Sequence, residues 1–168
     1  MRRPTEHEII FTRTQQKVFR MRGEAIQLIT ELETYLDIIL VGSFIKSEYA
    51  GKFFEILMWE DFRLSTKVRL FEKIDMPKEL QVKQKEIART LQNNLLPTRN
   101  KYAHREAIIV VFGGVGQTTL VDKRYKMVPI SPKNFRLFRK NCKRVKRMLQ
   151  EIAVGIIDSE STDSQREE

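Results

Sequence analysis

An apolar stripe near the carboxyl end of the chain constrains the fold more than any other feature. Its side chains recur at intervals of three and four residues, which places them on one face of an α-helix. They are Phe135, Phe138, Cys142, Val145, Leu149 and Ile152. Ser131 offers a helix cap, and Pro132 fits the first turn, where a missing N–H costs nothing. The stripe therefore predicts a long final helix with one apolar face.

The same helical spacing recurs upstream, which predicts an all-α protein built as a bundle. A basic lead-in from Phe11 to Arg22 precedes a predicted core helix from Glu24 to Phe44. A second, a third and a fourth helix are predicted from Tyr49 to Leu57, from Leu64 to Phe71 and from Pro77 to Leu95. The second and third are either separated by a short break or continuous near Asp61. Pro97 is expected to interrupt the fourth helix, because proline disfavours the helical conformation of Leu96.

One segment departs from the helical pattern. Residues 107–112 are rich in isoleucine and valine, three glycines follow, and a second β-prone run ends at Val121. This pattern predicts a β-hairpin near residues 107–128, inserted into the helical protein, with the glycines as turn residues. A phosphate-binding loop is disfavoured because no lysine follows Gly116. We expect a single helical domain over residues 1–157 and a disordered acidic tail over residues 158–168.

The charge balance indicates a polyanionic partner. The 168 residues include 31 lysines and arginines against 22 aspartates and glutamates, a formal net charge of +9. Cations placed against phosphates release condensed counterions, so nucleic acid is favoured over an acidic protein. Apolar runs such as Ile38 to Val41 are far too short to cross a membrane, and residues 1–11 lack the apolar core of a signal peptide. These features predict a cytoplasmic protein that does not bind membranes.

The scarcity of cysteine and histidine limits the possible chemistry. Cys142 is the only cysteine, and His7 and His104 are the only histidines. An internal disulfide and a thiolate zinc cluster are therefore excluded, and a transition-metal site built by the protein is not expected. We predict that the protein works without a metal and without a cofactor.

Arg99, Asn100 and His104 bring three chemically useful side chains within two helical turns. Arginine holds a phosphate with a forked pair of hydrogen bonds, and imidazole moves protons near neutral pH. Residues four apart share a helical face, so Asn100 and His104 lie together, and Arg99 is long enough to curl toward them. A start of a new helix after Pro97 would add free N–H groups that favour an anion. The cluster predicts a site for cleaving RNA.

Metal-free RNA cleavage also predicts a dimer. The reaction needs a base for the 2′-hydroxyl, a cation for the phosphorane and an acid for the departing 5′-oxygen. One histidine cannot serve as acid and base at the same time. A two-fold homodimer would bring two copies of His104 and Arg99 into one cleft and supply all three functions.

The motif Arg-Asn-x-x-Ala-His, at Arg99 to His104, resembles that of the HEPN superfamily (higher eukaryotes and prokaryotes nucleotide-binding). The resemblance implies an up-and-down helical bundle that dimerises face to face and acts as a metal-independent endoribonuclease, as a toxin, a defence effector or an RNA-processing enzyme. It also implies that Arg99 and His104 are catalytic, that Asn100 orients or assists them, and that a cognate antitoxin protein is a candidate partner. Glu106 stands where some toxin members have a tyrosine that an antitoxin modifies, so that route of regulation is not expected.

Basic residues outside the motif are candidate RNA contacts. The final helix carries a run of cations with no acidic residue before Glu151. The candidates on this helix are Arg136, Arg139, Lys140, Lys143, Arg144 and Arg147, and Lys101 within the motif is a further candidate. A bare charge run is also typical of a solvated face. Two further interpretations stay open: a non-catalytic HEPN-like module that binds RNA or protein, and a structural helical subunit of a larger complex.

Overall fold

The computed structural model describes residues 4–44, 49–53, 63–104, 106–112, 115–121, 127–129 and 131–164. The protein is predominantly helical. Helix α1 spans Glu6–Phe44, residues 49–53 are the described part of α2, α3 spans Leu64–Phe71, and α4 spans Lys78–Thr90. A π-helical turn, Leu91–Leu95, leads into α5, Leu96–His104. Three strands follow, and α6 spans Pro132–Ser164. The predicted helical residues 54–57 lie outside the described part of the chain.

Helix α1 begins well before the core helix that the sequence predicts, because its first turn is capped. The backbone N–H of Thr5 donates to Glu8 Oε2 at 2.6 Å, and the N–H of Glu8 donates back to Thr5 Oγ1 at 3.3 Å. This reciprocal pair is a capping box, which satisfies two N–H groups that a helix start leaves open. The basic lead-in is therefore the amino-terminal part of a helix 39 residues long.

Helices α1 and α6 run side by side in the same direction. Lys146 Nζ lies 2.9 Å from Glu31 Oε2, and Gln150 Nε2 donates to Tyr35 Oη at 2.7 Å. Both pairs are 115 positions apart in the chain, so residue numbers rise together along the two helices. The six stripe residues that the sequence predicts on α6 are all buried, and they face buried side chains of α1 such as Leu32 and Leu36. This pair forms the centre of the core.

The prediction that Pro97 breaks the fourth helix is wrong. Leu96 has φ −62° and ψ −49°, which is right-handed helical backbone, and its N–H donates to the carbonyl of Leu91. Proline lacks an N–H, and its ring clashes with the carbonyl four residues back in a regular α-helix. The π-helical turn Leu91–Leu95 changes the bonding register just before Pro97, so the helical backbone continues from α4 into α5.

Helix α4 packs antiparallel to α6. Lys83 Nζ lies 2.7 Å from Glu151 Oε2, whereas Glu86 pairs with Arg144 at 3.0 Å, so numbers rise on α4 as they fall on α6. Helix α3 packs against α1 and α4, and its Phe71 is fully buried. The side chain of Gln84 donates to the carbonyl of Phe71 and so ties the end of α3 to α4.

The strands form a small antiparallel sheet. Strand β1, Glu106–Phe112, pairs with β2, Val115–Val121, in a register that places Ile109 opposite Thr118. Strand β3, Met127–Pro129, pairs with the other edge of β2. Both β1 and β2 lie against α1, where Ile109 lines a small cavity with Phe11 and Phe19. The sheet therefore sits on the amino-terminal half of α1.

Helix α6 continues into the segment that composition assigns to a disordered tail. Its last residue is Ser164, so residues 158–164 have helical backbone, and residues 165–168 lie outside the described chain. Once a helix is formed, each added residue gains a backbone hydrogen bond without a new nucleation cost.

Candidate functional site

The motif helix α5 is fixed to the bundle by Tyr102. This side chain is 2% exposed, and its ring meets the ring of Phe135 edge-on, with centroids 5.2 Å apart. A second contact joins it to Phe138 at 6.4 Å. Burial raises the pKa of the Tyr102 hydroxyl above its ordinary value. Tyr102 therefore packs α5 on the first turns of α6 and sets where the rest of the motif lies.

Arg99 and Asn100 are joined by a hydrogen bond on α5. Arg99 Nη1 donates to Asn100 Oδ1 at 3.1 Å; Arg99 is half-buried, and Asn100 is exposed. The arginine thus curls toward the side of its asparagine neighbour. His104 is the last residue of α5, four positions after Asn100, and its side chain is outside the described atoms. The backbone places Asn100 and His104 on one helical face.

The expected free helix start does not precede the motif. The N–H of Leu96 is bonded to the carbonyl of Leu91, because the π-helical turn runs directly into α5. The Leu96 amide is therefore used within the helix, and Pro97 has no N–H to offer an anion.

The basic residues predicted on α6 do not form one free surface. Arg139 pairs through both Nε and Nη2 with the carboxylate of Glu24 on α1. On another side of the helix, Arg144 pairs with Glu86 of α4, and Arg147 lies 4.0 Å from Glu151. The remaining candidates are Arg136, Lys140 and Lys143, which are exposed, and Lys101, which is half-buried on α5. Acidic residues from α1 and α4 thus divide the charge run.

A groove of about 490 Å³ lies between the amino-terminal part of α1 and the beginning of α6. Five of the side chains that line it are cations, three from α1 and two from α6, and Glu24 is the one acid among the lining residues. The lining residues are Arg13, Gln16, Lys17, Arg20, Met21, Glu24, Pro132, Phe135, Arg136 and Arg139. We call this the basic groove.

Three cations of α1 that line the basic groove, Arg13, Lys17 and Arg20, are not among the RNA contacts predicted from the sequence. The signal was present, since Arg13, Lys17 and Arg20 are spaced by four and three residues and so share a helical face. The predicted core helix begins only at Glu24, after this segment. The three cations line the groove because α1 extends to Glu6 and lies beside α6.

Phe135 separates the basic groove from the motif helix. The guanidinium of Arg139 lies 5.0 Å from the centroid of the Phe135 ring, and Tyr102 contacts that ring edge-on. The hydrogen bonds that Arg139 donates to the Glu24 carboxylate raise the pKa of Arg139 and hold its guanidinium beside the ring. One aromatic ring therefore stands between the groove and the helix that carries Arg99.

Among the described residues, no group of three histidine, cysteine, aspartate or glutamate side chains is placed to hold a metal ion. Cys142 is 1% exposed, and burial raises the pKa of its thiol to about 12. This thiol stays protonated at neutral pH and is not suited to act as a nucleophile.

No family model, curated protein or solved structure matches this chain. Of the helices in the described part of the chain, none is both long enough and apolar enough to cross a membrane.

Proposed function

We propose that this protein is a metal-independent endoribonuclease of the HEPN type that acts as a homodimer. The observation that carries the proposal is the Arg99–Asn100 hydrogen bond on the helix that ends at His104. Arginine, asparagine and histidine are thereby combined on one rigidly seated helix, since Tyr102 anchors α5 in the core. The net charge of +9 supports RNA as the substrate.

The reaction proceeds by attack of the RNA on itself. Neutral His104 of one copy accepts the proton of a ribose 2′-hydroxyl, and the 2′-oxygen forms a bond to the adjacent phosphorus. The bond from phosphorus to the 5′-oxygen breaks, and protonated His104 of the second copy donates a proton to that oxygen. Two Arg99 guanidinium groups stabilise the negative charge of the phosphorane. The products carry a 2′,3′-cyclic phosphate and a 5′-hydroxyl group.

The homodimer is proposed because one copy of the motif has a single imidazole, whereas the reaction needs both an acid and a base. The chain has two histidines, and His7 lies in the first turn of α1, remote in sequence from the motif. A second copy of His104 is the simplest source of the general acid. Asn100 is exposed on α5 and is accessible to a second copy. A toxin or defence role, with a cognate antitoxin as partner, is the setting that the HEPN resemblance implies.

The test is cleavage of RNA by the purified protein in excess EDTA. Wild-type protein should produce 2′,3′-cyclic phosphate ends, and activity should fall at both acidic and alkaline pH. His104→Ala should abolish cleavage, whereas the matched histidine removal His7→Ala should leave it unchanged. Arg99→Lys should also lose most activity, because lysine keeps the charge and lacks the planar fork. Cleavage that persists in His104→Ala would exclude the proposed mechanism.

A second candidate is an RNA-binding module without catalysis. It is favoured by the exposed cations Arg136, Lys140 and Lys143 of α6, which can contact RNA without a catalytic group. In this case wild-type protein would bind RNA and leave it intact under all conditions of the cleavage assay. Arg99→Ala would then have little effect on RNA affinity.

A further inference from the structure

We infer that the basic groove between α1 and α6 is a binding site for the sugar-phosphate backbone of single-stranded RNA. This site rests on the proposed function, and it would bind the RNA substrate at a distance from the bond that is cleaved. The groove is lined by Arg13, Lys17, Arg20, Arg136 and Arg139, and it borders the aromatic ring on which the motif helix is packed.

The groove carries a large positive charge in a concave space. Five cations face one acid, which leaves a net charge of +4 (5 − 1) among the lining residues. Arg13, Lys17, Arg20 and Arg136 are exposed, so their charged ends can reach a ligand in solution. Like charges placed this close repel one another in the free protein, and an anion that enters the groove relieves this repulsion. A volume of about 490 Å³ is typical of ligand clefts.

The spacing of the α1 cations suits an extended polyanion rather than a single small anion. Arg13, Lys17 and Arg20 span seven helical positions, which corresponds to about 10 Å along the axis of α1. A row of cations of this length contacts successive phosphates along a strand. The row runs beside the start of α6, where Arg136 supplies a cation from the opposite wall.

Arg139 differs from the other four cations because it is held in place. Glu24 binds it through two hydrogen bonds, and its guanidinium lies over the Phe135 ring at 5.0 Å. These contacts fix the floor of the groove. Arg139 therefore shapes the site, while the exposed cations make the phosphate contacts.

The experiment compares matched pairs of variants for binding to a short fluorescent single-stranded RNA. All variants are made in full-length protein that also carries His104→Ala, so that RNA is not cut during the measurement. Arg136 and Lys133 are both exposed cations of α6, and only Arg136 lines the groove. Arg136→Gln should weaken binding by about tenfold, as expected for a lost charged hydrogen bond, and Lys133→Gln should not.

A second pair tests the α1 wall. Arg13→Gln with Arg20→Gln should lower the slope of log affinity against log salt concentration by about 1.4, since each phosphate contact in single strands contributes about 0.7. Lys78→Gln with Lys85→Gln removes the same charge from exposed positions on α4 and should leave the slope unchanged. Thermal unfolding of each variant confirms that the fold is kept.

The outcomes separate this inference from the proposed function. Equal losses in Arg136→Gln and Lys133→Gln, or an unchanged slope in the Arg13 and Arg20 variant, would overturn the groove and leave the cleavage mechanism untouched. Cleavage independent of His104 would overturn the mechanism and leave the groove intact. If the protein ignores RNA even at about 50 mM salt, the assignment to RNA fails and an acidic protein becomes the partner to test.

Discussion

Tyr102 meets Phe135 edge-on, with ring planes inclined at 76° and centroids 5.2 Å apart. This contact joins the motif helix to the helix that lines the basic groove. Edge-to-face aromatic pairs add to the free energy gained from burial, because the positive edge of one ring faces the negative face of the other. The proposed catalytic helix and the proposed RNA site are therefore joined by a direct aromatic contact.

Removal of the Tyr102 ring should destabilise the protein strongly. We expect Tyr102→Ala to lower the free energy of unfolding by about 3–5 kcal/mol, as large aromatic truncations in cores do. Tyr102→Phe keeps the ring contacts with Phe135 and Phe138 and should cost much less. Urea denaturation followed by circular dichroism measures both. Similar costs for the two variants would show that the hydroxyl, rather than the ring, holds α5 in place.

Lys67 forms a buried ionic cluster at the other end of the bundle. Its Nζ lies 2.9 Å from Asp37 Oδ2 and 2.9 Å from Glu33 Oε1, and its side chain is 3% exposed. Lys67→Met should lower the free energy of unfolding by about 3–5 kcal/mol, because Asp37 is left buried without its cation. Lys67→Met combined with Asp37→Leu should recover most of that loss. A double variant no more stable than Lys67→Met would contradict this account.

Asp37 should make the stability depend on pH in a direction opposite to most surface carboxylates. Burial raises the pKa of Asp37 above its ordinary value of 3.8, and the hydrogen bond from Lys67 only partly offsets it. The folded state thus binds more protons than the unfolded state between the two pKa values, so stability falls as pH rises through that interval. The free energy of unfolding of the wild-type protein, measured in urea relative to that of Asp37→Asn, should decrease as the pH rises above about 3.8 and then level off. An increase in this relative stability over the same pH interval would contradict a raised pKa of Asp37 in the folded state.

The Cys142 thiol should react only when the protein opens. It is 1% exposed, and burial raises its pKa to about 12, so both access and thiolate content are low in the folded state. With a thiol reagent such as Ellman's reagent at neutral pH, native protein should react far more slowly than protein in denaturant. Asn141→Cys in a Cys142→Ala background provides a half-buried thiol beside it as a control. Rapid modification of native protein would place Cys142 outside the core.

Much of the fold could be predicted from local patterns. The stripe from Phe135 to Ile152 is buried as expected, and Ser131 caps α6 through a 3.4 Å hydrogen bond from the N–H of Asn134. Helical periodicity is a property of neighbouring residues, so sequence reveals it directly. The capping box of Thr5 and Glu8 was also readable from the Thr-x-x-Glu spacing, and it marks the start of α1 that the periodicity of apolar residues missed.

The sequence by itself determined a predominantly helical protein, the buried face of α6 and the presence of Arg99, Asn100 and His104 on one helix. Tertiary structure alone decided how the charges are used. Glu24 and Glu86 are far from α6 in the chain, yet packing brings Glu24 to Arg139 and Glu86 to Arg144. An ion pair between residues 115 positions apart depends on how two helices are placed side by side, which no local pattern encodes. For the same reason the basic groove exists only where α1 and α6 meet.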